Sequence, residues 1–231
     1  MRQRIIFKYP SSHIKAMSGS NTKTDTTQML LAICGIIGPI LYTIVVITLG
    51  FLRPGYNHVM QFMSELGEVG SQNAIIMNIA GFQLLGVLMI GFAFGLYRGT
   101  GRGIASKISA ALVVVAGSGL VAVGFFPCDP GCVNVSFTGF MHSITATIPA
   151  VAMGFAPLVI SLRMKNDILW EGYWLYSLST SIVTIILSPL TFLTVFEPWA
   201  GALQRLSMAV GLLWIMVISI RLFRLSRISI V

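Results

Sequence analysis

The chain has 231 residues, of which 55% are hydrophobic and only 10% are charged, and its formal net charge is +8. A soluble domain carries roughly one quarter charged residues, so this chain has too few of them to cover a soluble globule of its size. The composition therefore excludes an ordinary soluble domain and indicates an integral membrane protein.

The chain begins with a basic arm over residues 1–28. Its last part, SGSNTKTDTTQ, is polar and predicts disorder. The arm is not a secretory signal, because the apolar run after it is too long for a signal-peptide core and no small-residue cleavage site follows. Translation could begin at Met1 or at Met17. The first sixteen residues are therefore either a start-site extension or an arm on the membrane surface.

Six apolar segments follow in chain order, and each is about as long as the ~20 residues that a membrane-spanning helix needs. We predict an all-α polytopic membrane domain over residues 29–222 and a basic tail over residues 223–231. Strands of a membrane barrel would alternate apolar and polar residues, and these segments are apolar on all sides. The predicted helices cover residues 29–52, 74–97, 106–126, 138–162, 173–196 and 201–221.

Lysine and arginine are divided unequally between the two ends of these segments. Of the 15 basic residues, thirteen lie in the arm, in the second and fourth connections and in the tail. By the positive-inside rule both termini are cytoplasmic, and the first, third and fifth loops lie outside. We therefore predict a multi-pass protein of the cell membrane. Its basic charge follows from topology and from attraction to anionic headgroups, so no nucleic-acid partner is expected.

The third loop contains FPCDPGC, residues 126–132, with a turn sequence between two cysteines. A turn can bring the two Cα atoms within disulfide range, and an outer compartment is oxidising, so a Cys128–Cys132 disulfide is favoured. Free thiols and a metal site are the alternatives. Zinc needs about four ligands, and although His58, Asp129 and His142 could join the pair, nothing in the sequence fixes their distances, so we assign no metal. The chain has only three histidines and no nucleotide-binding motif, so no other cofactor is assigned. The third cysteine, Cys34, lies deep in the first helix and is expected to be a packing residue.

The first loop contains FMSELG, residues 62–67, within a stretch that stays partly apolar. This spacing predicts a short amphipathic helix in the membrane interface. Ser64 and Glu65 then face water or help cap the neighbouring turn, which is the favoured interpretation. The alternative places them in a site beneath the loop.

Two ionisable residues lie near the outer ends of predicted helices. An ionisable group in a membrane helix usually faces protein or a wet cavity. His142 either bonds a loop carbonyl or belongs to a site, and Arg205 either pairs with Glu197 or Asp129 or anchors a ligand. We predict that His142 and Arg205 face one wet cavity, closed by the SELG loop.

An ordered set of short motifs resembles a known family. The set is RPGY at residues 53–56, SELG at residues 64–67, FPCDPGC, His142 and the QR pair at residues 204–205. It resembles the six-helix integral membrane family called domain of unknown function 998, over about residues 33–221. The resemblance implies a six-helix prokaryotic membrane fold with no settled activity. It also implies that the following residues belong to one outer-face site: Ser64, Glu65, Asp129, His142 and Arg205.

Three functions are consistent with the sequence. In the favoured one, the outer face binds a lipid headgroup or a small anionic ligand through Glu65, His142, Glu197 and Arg205. In the second, an intramembrane hydrolase uses Ser64 as nucleophile, His142 as base and Asp129 to orient it, although SELG lacks the G-x-S-x-G elbow. In the third, the protein is a structural membrane subunit. The sequence does not decide whether the protein is an enzyme, and it sets no oligomeric state. The expected partners are the bilayer and a lipid or small molecule.

Overall fold

The computed structural model describes residues 25–101 and 103–227. Six helices in this part of the chain are long and apolar enough to cross a membrane, and no strand occurs in it. The prediction of an all-α, six-helix membrane fold is confirmed. The helices are α1 Thr26–Leu52, α2 Ala74–Gly99, α3 Ile104–Phe125, α4 Phe137–Met164, α5 Tyr173–Leu190 and α6 Ala200–Leu225.

Helix α1 begins three residues earlier than residue 29, inside the predicted arm. Asp25 caps it, because its Oδ1 atom accepts a hydrogen bond from the Gln28 backbone N–H at 3.0 Å. The same carboxylate lies 3.2 Å from the Arg98 guanidinium at the end of α2. Helix α6 likewise continues to Leu225, past residue 221. The predictions for residues 1–24 and for the last four residues of the tail lie outside the described residues.

Helix α5 ends at Leu190, whereas the sequence predicts a helix to residue 196. Pro189 offers no backbone N–H to its last turn, and the Thr191 hydroxyl bonds the Ser188 carbonyl at 2.7 Å. A 3₁₀ segment, Thr194–Trp199, then leads into α6. The prediction extended α5 because the residues after Leu190 are still apolar, and apolar character alone does not mark the end of a helix.

The six helices form a closed ring in chain order. Each helix packs against the next, α6 returns to α1, and α2 also contacts α6 across the ring. Phe92 of α2 and Trp214 of α6 meet edge to face there, with ring centroids 5.9 Å apart, and both are fully buried. The Trp214 indole N–H donates to the Ser177 hydroxyl at 2.9 Å, so this aromatic contact joins α2, α5 and α6.

The backbones of α2 and α3 approach each other at two facing glycines. A Cβ atom on Gly86 would overlap the Gly117 carbonyl, and a Cβ on Gly117 would overlap the Gly86 carbonyl. Small residues of this kind let membrane helices pack closely. Next to this contact, α2 runs as a π-helix over Met77–Gln83. Such a segment rotates the side chains before it relative to those after it, and it carries Asn78 towards the first loop.

The two ends of the ring differ in their loops. One end carries residues 53–73, 126–136 and 191–199, and we call it the long-loop end. The other end carries the short connections 100–103 and 165–172. The long-loop end is the one that the distribution of basic residues predicts to lie outside the membrane. All of the candidate site residues lie at this end.

Candidate functional site

Arg205, in the second turn of α6, holds the first loop by its carbonyl oxygens. Its Nη1 atom donates to the carbonyls of His58 at 2.7 Å, Gln61 at 2.8 Å and Gly201 at 2.9 Å. Its Nη2 atom donates to the Tyr56 hydroxyl at 2.5 Å, and the guanidinium lies over the Tyr56 ring, 5.5 Å from its centroid. Carbonyl dipoles and an aromatic face thus surround this charge, whereas the sequence predicted either a carboxylate partner or a bound ligand.

Tyr56 and His58 line the same contact from the first loop. The Tyr56 hydroxyl donates to the Phe62 carbonyl at 2.8 Å. The rings of Tyr56 and His58 meet edge to face, with their centroids 5.1 Å apart. Burial raises the pKa of Tyr56, although the neighbouring Arg205 opposes that shift, so the phenol stays protonated and can donate. Burial, with a smaller contribution from Arg205, lowers the pKa of His58. The loop therefore places neutral groups beside the guanidinium.

The first turn of α6 is docked onto the first loop by its backbone. The N–H groups of Gly201 and Ala202 donate to the carbonyls of Met60 at 3.3 Å and Val59 at 2.8 Å. The Gln204 side chain accepts from the Met63 N–H at 2.7 Å. These bonds satisfy donors that the start of a helix otherwise leaves unpaired. Gln204 and Arg205, the QR pair of the sequence, therefore clamp the first loop to α6.

The SELG motif folds as a 3₁₀ segment, Met63–Gly67, in place of the predicted amphipathic helix. Glu65 is buried, and its carboxylate accepts from the Phe62 N–H at 2.8 Å and from the Gln61 side chain at 2.6 Å. Glu65 thus caps the turn, which is the favoured interpretation of the sequence. At the end of the motif, the buried Asn78 side chain of α2 donates to the Gly67 carbonyl at 2.9 Å.

Glu68 joins the first loop to the third. Its Oε1 atom lies 2.6 Å from Nη2 of Arg53, and its Oε2 atom accepts from the Gly131 N–H at 2.7 Å. Arg53 also donates to the Glu65 carbonyl. Beside these contacts the Val69 N–H donates to the Cys128 carbonyl at 2.9 Å. The RPGY, SELG and CDPGC motifs are therefore adjacent segments of one structure.

The third loop is a turn held at both ends. Cys128 and Cys132 lie within disulfide-bonding distance, with Cα atoms 4.9 Å apart, so the predicted pairing is confirmed. Between them, the Asp129 carboxylate accepts from the Val135 N–H at 3.0 Å and from the Ser136 N–H at 2.9 Å and hydroxyl at 2.7 Å. These bonds, those from Ser136 above all, lower the pKa of Asp129. The carboxylate fixes the loop to the start of α4.

His142 lies directly beneath the cysteine pair, in the second turn of α4. The side chain is buried, and its Nδ1 atom lies 2.7 Å from the Phe126 carbonyl oxygen. The nearest ligand atoms of Cys128, Cys132 and His142 all lie within 4.8 Å of one another. His142 therefore forms the loop-carbonyl bond that the sequence analysis gave as one reading, and it also sits in a cluster with two sulfur atoms.

The candidates for a hydrolase are not joined by hydrogen bonds. The Asp129 oxygens are occupied by Val135 and Ser136, and the bond of His142 goes to Phe126. Ser64 contributes its backbone carbonyl to the Cys128 sulfur at 3.6 Å. Over residues 25–101 and 103–227, no hydrogen bond connects the side chains of Ser64, Asp129 and His142. His142 and Asp129 therefore bond groups of the loop and the start of α4, and not the other members of the proposed triad.

The residues predicted to share one ligand site fall into two clusters. Arg205 and Glu65 both bond the first loop at Gln61, and His142 lies beneath the third-loop turn that Asp129 holds. Glu197 is exposed on the 3₁₀ segment before α6. Among the described residues, ion pairs join Arg53 to Glu68, Arg98 to Asp25 and Arg163 to Asp167, and none includes Arg205 or Glu197.

A pocket of about 270 Å³ opens beside Arg53, between the end of α1 and the second half of the first loop. Arg53, Glu68, Ser71, Gln72 and Asn73 give it polar walls, and Leu49 and Leu66 form an apolar part. The Arg53 side chain is 27% exposed. Neither Arg53 nor Glu68 is among the ligand-binding residues predicted from the sequence. The available signal was the RPGY motif, which places an arginine immediately after a membrane helix.

Comparison with curated proteins and with solved structures finds no match. One family model matches residues 36–221, which is most of the chain and includes every motif of the long-loop end. Its description is protein of unknown function (DUF998). The six-helix ring and the interlocked motifs at its long-loop end are thus those of a member of the DUF998 family, and the chain belongs to that family.

Proposed function

We propose that the long-loop end binds the phosphate of a membrane phospholipid headgroup, and that Arg53 is the residue that holds it. The observation that carries this proposal is the pocket of about 270 Å³ with a partly exposed guanidinium in its wall. Ligand pockets commonly measure about 300–1,000 Å³, so this one suits a headgroup-sized fragment rather than a larger molecule. This keeps the favoured function of the sequence analysis and moves its anchor from Arg205 to Arg53.

Arg53 is the better anchor because its charge is oriented but still accessible. Glu68 and the Glu65 carbonyl fix one side of the guanidinium, and the rest faces the pocket. Arginine binds phosphate through a planar fork of donors, which suits this arrangement. Arg205, in contrast, donates four hydrogen bonds, three to the first loop and one to the Gly201 carbonyl. These bonds explain its presence in the helix without a ligand.

The surroundings of the pocket favour a lipid over a free anion. Phe51 is 81% exposed, Leu52 is 59% exposed and Ile75 is 74% exposed, and in the chain they lie within two residues of the pocket-lining residues Arg53 and Asn73. In a cell membrane, where we expect this protein, such side chains contact acyl chains. A phosphate on Arg53 would then lie at the headgroup level, with its acyl chains along α1 and α2. Glu68 in the wall also disfavours a highly charged free anion.

The test measures bound phospholipid after purification in mild detergent. Native mass spectrometry should show a retained phospholipid on the wild-type protein, and Arg53→Gln should reduce it at least about tenfold, the effect of losing one charge-assisted contact. Arg163→Gln is the matched control. That arginine is also partly exposed and ion-paired, but it lies at the end of α4 opposite the long-loop end, so retention should not change.

Two further measurements keep the result interpretable. Gln72→Trp, at an exposed lining position, should occlude the pocket and reduce retention while Arg53 and its contacts remain. Excess inorganic phosphate should not release the lipid. Equal retention in wild type, Arg53→Gln and Gln72→Trp would refute the proposal, and a wild type that carries no phospholipid but binds inorganic phosphate would refute the lipid as the ligand.

A further inference from the structure

We infer that Cys128, Cys132 and His142 form a redox-dependent binding site for a soft metal ion, and that this ion is Cu(I). In the disulfide form the two sulfurs are bonded to each other and the site is closed. In the dithiol form the same three side chains converge on one point. The site is separate from the Arg53 pocket and does not depend on the proposed function.

The ligand atoms of the three side chains converge. The two sulfur atoms and a ring nitrogen of His142 lie within 4.8 Å of one another, which is close enough for one ion to reach all three. Cys128 and His142 are buried, and Cys132 is partly exposed. The cluster therefore has a protected interior and one side that opens towards the loop surface.

A backbone carbonyl orients the histidine ring. Its Nδ1 atom is occupied by the Phe126 carbonyl at 2.7 Å, and a carbonyl can only accept, so Nδ1 carries the proton. The neutral ring then has an unprotonated Nε2 atom that can act as a metal ligand. Metal-binding histidines are commonly fixed in this way, with the second nitrogen donating to a backbone carbonyl. The structure supplies this orienting bond whether or not an ion is bound.

The turn that carries Cys132 is held by hydrogen bonds of its backbone. Its φ is 53°, and it is the single non-glycine residue with positive φ in the described chain. A left-handed residue that is not glycine costs of order 1–2 kcal/mol and persists only where its surroundings hold it. Here the Cys132 N–H bonds the Asp129 carbonyl at 2.7 Å, and Glu68 holds the N–H of Gly131. These bonds direct Cys132 towards Cys128 independently of the disulfide, so reduction leaves the turn in place.

The ligand set selects the kind of ion. Thiolate ligands favour Cu(I) or zinc over hard cations such as magnesium. Structural zinc takes four ligands, and only three converge here among the described residues. The conditions that open the disulfide are also those that keep copper as Cu(I). Two thiolates and one imidazole can bind that ion as a three-coordinate site.

Opening the site is thiol–disulfide exchange with an external dithiol. One thiolate of the dithiol attacks a sulfur of the pair, and its second thiolate resolves the mixed disulfide, so the dithiol is oxidised and both cysteines become thiols. Partly exposed Cys132 is the accessible sulfur. Binding of Cu(I) then releases the two thiol protons and leaves the His142 ring neutral.

The test titrates the purified full-length protein with Cu(I) in the presence of a coloured Cu(I) chelator, without oxygen. Dithiol-reduced protein, freed of reductant by gel filtration, should remove one Cu(I) per chain from the chelator. The untreated disulfide form should remove none, and it is a control that needs no substitution. Cys128→Ser and His142→Asn should each weaken binding by at least about tenfold, the lower range of effects at metal sites.

Cys34→Ala is the matched cysteine control and should bind Cu(I) as the wild type does, because Cys34 lies in α1 away from the cluster. Helix content and thermal unfolding of each variant establish that it is folded. The inference fails if the reduced wild type takes no Cu(I), or if folded Cys128→Ser and His142→Asn proteins bind as the wild type does. Binding of Zn²⁺ but not Cu(I) would overturn the choice of ion.

Discussion

At the scale of single residues, the long-loop end shows how a membrane protein accommodates a charge that forms no ion pair among the described residues. Arg205 makes three hydrogen bonds to carbonyl oxygens and one to the Tyr56 hydroxyl, and the Tyr56 ring covers its face. Because carbonyls have fixed directions, the planar fork of an arginine fits them better than the point charge of a lysine. The residue is therefore specified by geometry as well as by charge.

The first prediction follows from this geometry. Arg205→Lys should keep the charge but lose most of the fork, and it should lower the free energy of unfolding by about 2 kcal/mol, the value of a hydrogen bond to a charged group. Thermal unfolding in detergent, followed by tryptophan fluorescence, measures the effect. Arg224→Lys, at an exposed position of the same helix, is the control and should unfold as the wild type does. An Arg205→Lys protein as stable as wild type would show that the clamp does not stabilise the fold.

The second prediction concerns pH and Asp129. Hydrogen bonds, first those from Ser136, hold the folded pKa of Asp129 below its value in the unfolded chain. A depressed pKa contributes stability that is present above the unfolded pKa of about 3.9 and is lost as pH falls through the folded pKa. The stability difference between wild type and Asp129→Asn should therefore be constant near neutral pH and shrink below about pH 4. Thermal midpoints of both proteins across that range provide the measurement, and a constant difference down to pH 3 would contradict it.

At the scale of elements, the contact between the first loop and the start of α6 organises the long-loop end. Two backbone bonds, the Gln204 side chain and the Arg205 side chain all cross it. The close approach requires Gly201, since a Cβ atom there would overlap the Gln61 carbonyl. Loop and helix therefore form a single unit.

The third prediction tests that unit with two glycines of one helix. Gly201→Ala should separate the loop from α6 and lower the thermal midpoint by several degrees, because the atom it meets is backbone and cannot move alone. Gly211→Ala should be neutral or slightly stabilising, because its Cβ would make only an ordinary 3.8 Å contact and alanine favours a helix by up to about 1 kcal/mol. Equal effects of the two substitutions would contradict the docking argument.

The elements also show where sequence reasoning reaches its limit. The positions of the six helices follow from apolar length, and the cysteine pairing follows from a turn between two cysteines, because both depend on residues close in sequence. Arg205, in contrast, depends on carbonyls of residues 58 and 61, which lie about 145 positions away in the chain. The sequence does not show which backbone oxygens will face an arginine, so the partners predicted for Arg205 were a carboxylate or a ligand. The exposed pocket at Arg53 was missed for the same reason, since its shape depends on how the first loop turns back over α1.

At the scale of the whole molecule, the two ends of the ring differ in structure. At the short-loop end, Arg221 bonds the Leu169 carbonyl and lies over Tyr173, and Lys165 lies over Trp174. These pairs of cations and aromatic rings are typical of anchoring at a membrane interface. At the long-loop end, the loops interlock and enclose the pocket and the cysteine cluster. Because both proposed sites lie at the long-loop end, the orientation of the protein in the membrane decides which compartment can reach them.

The last prediction is that orientation. Since thirteen of the 15 basic residues lie on the short-loop side or in the termini, the long-loop end should face outwards. A single cysteine at Gln72, on the exposed first loop, should react in intact cells with a membrane-impermeant maleimide. One at Gly103, between α2 and α3, should react only after the cells are opened. Both substitutions are made in a Cys34→Ala background, where Cys128 and Cys132 are protected as a disulfide, and a denatured sample gives full labelling as the reference. Labelling of both positions from the same side would contradict the six-helix arrangement in the membrane. Labelling of Gly103 alone in intact cells would invert the topology, and the pocket and the cysteine cluster would then face the reducing cytoplasm, where the dithiol form of the cluster is the expected one.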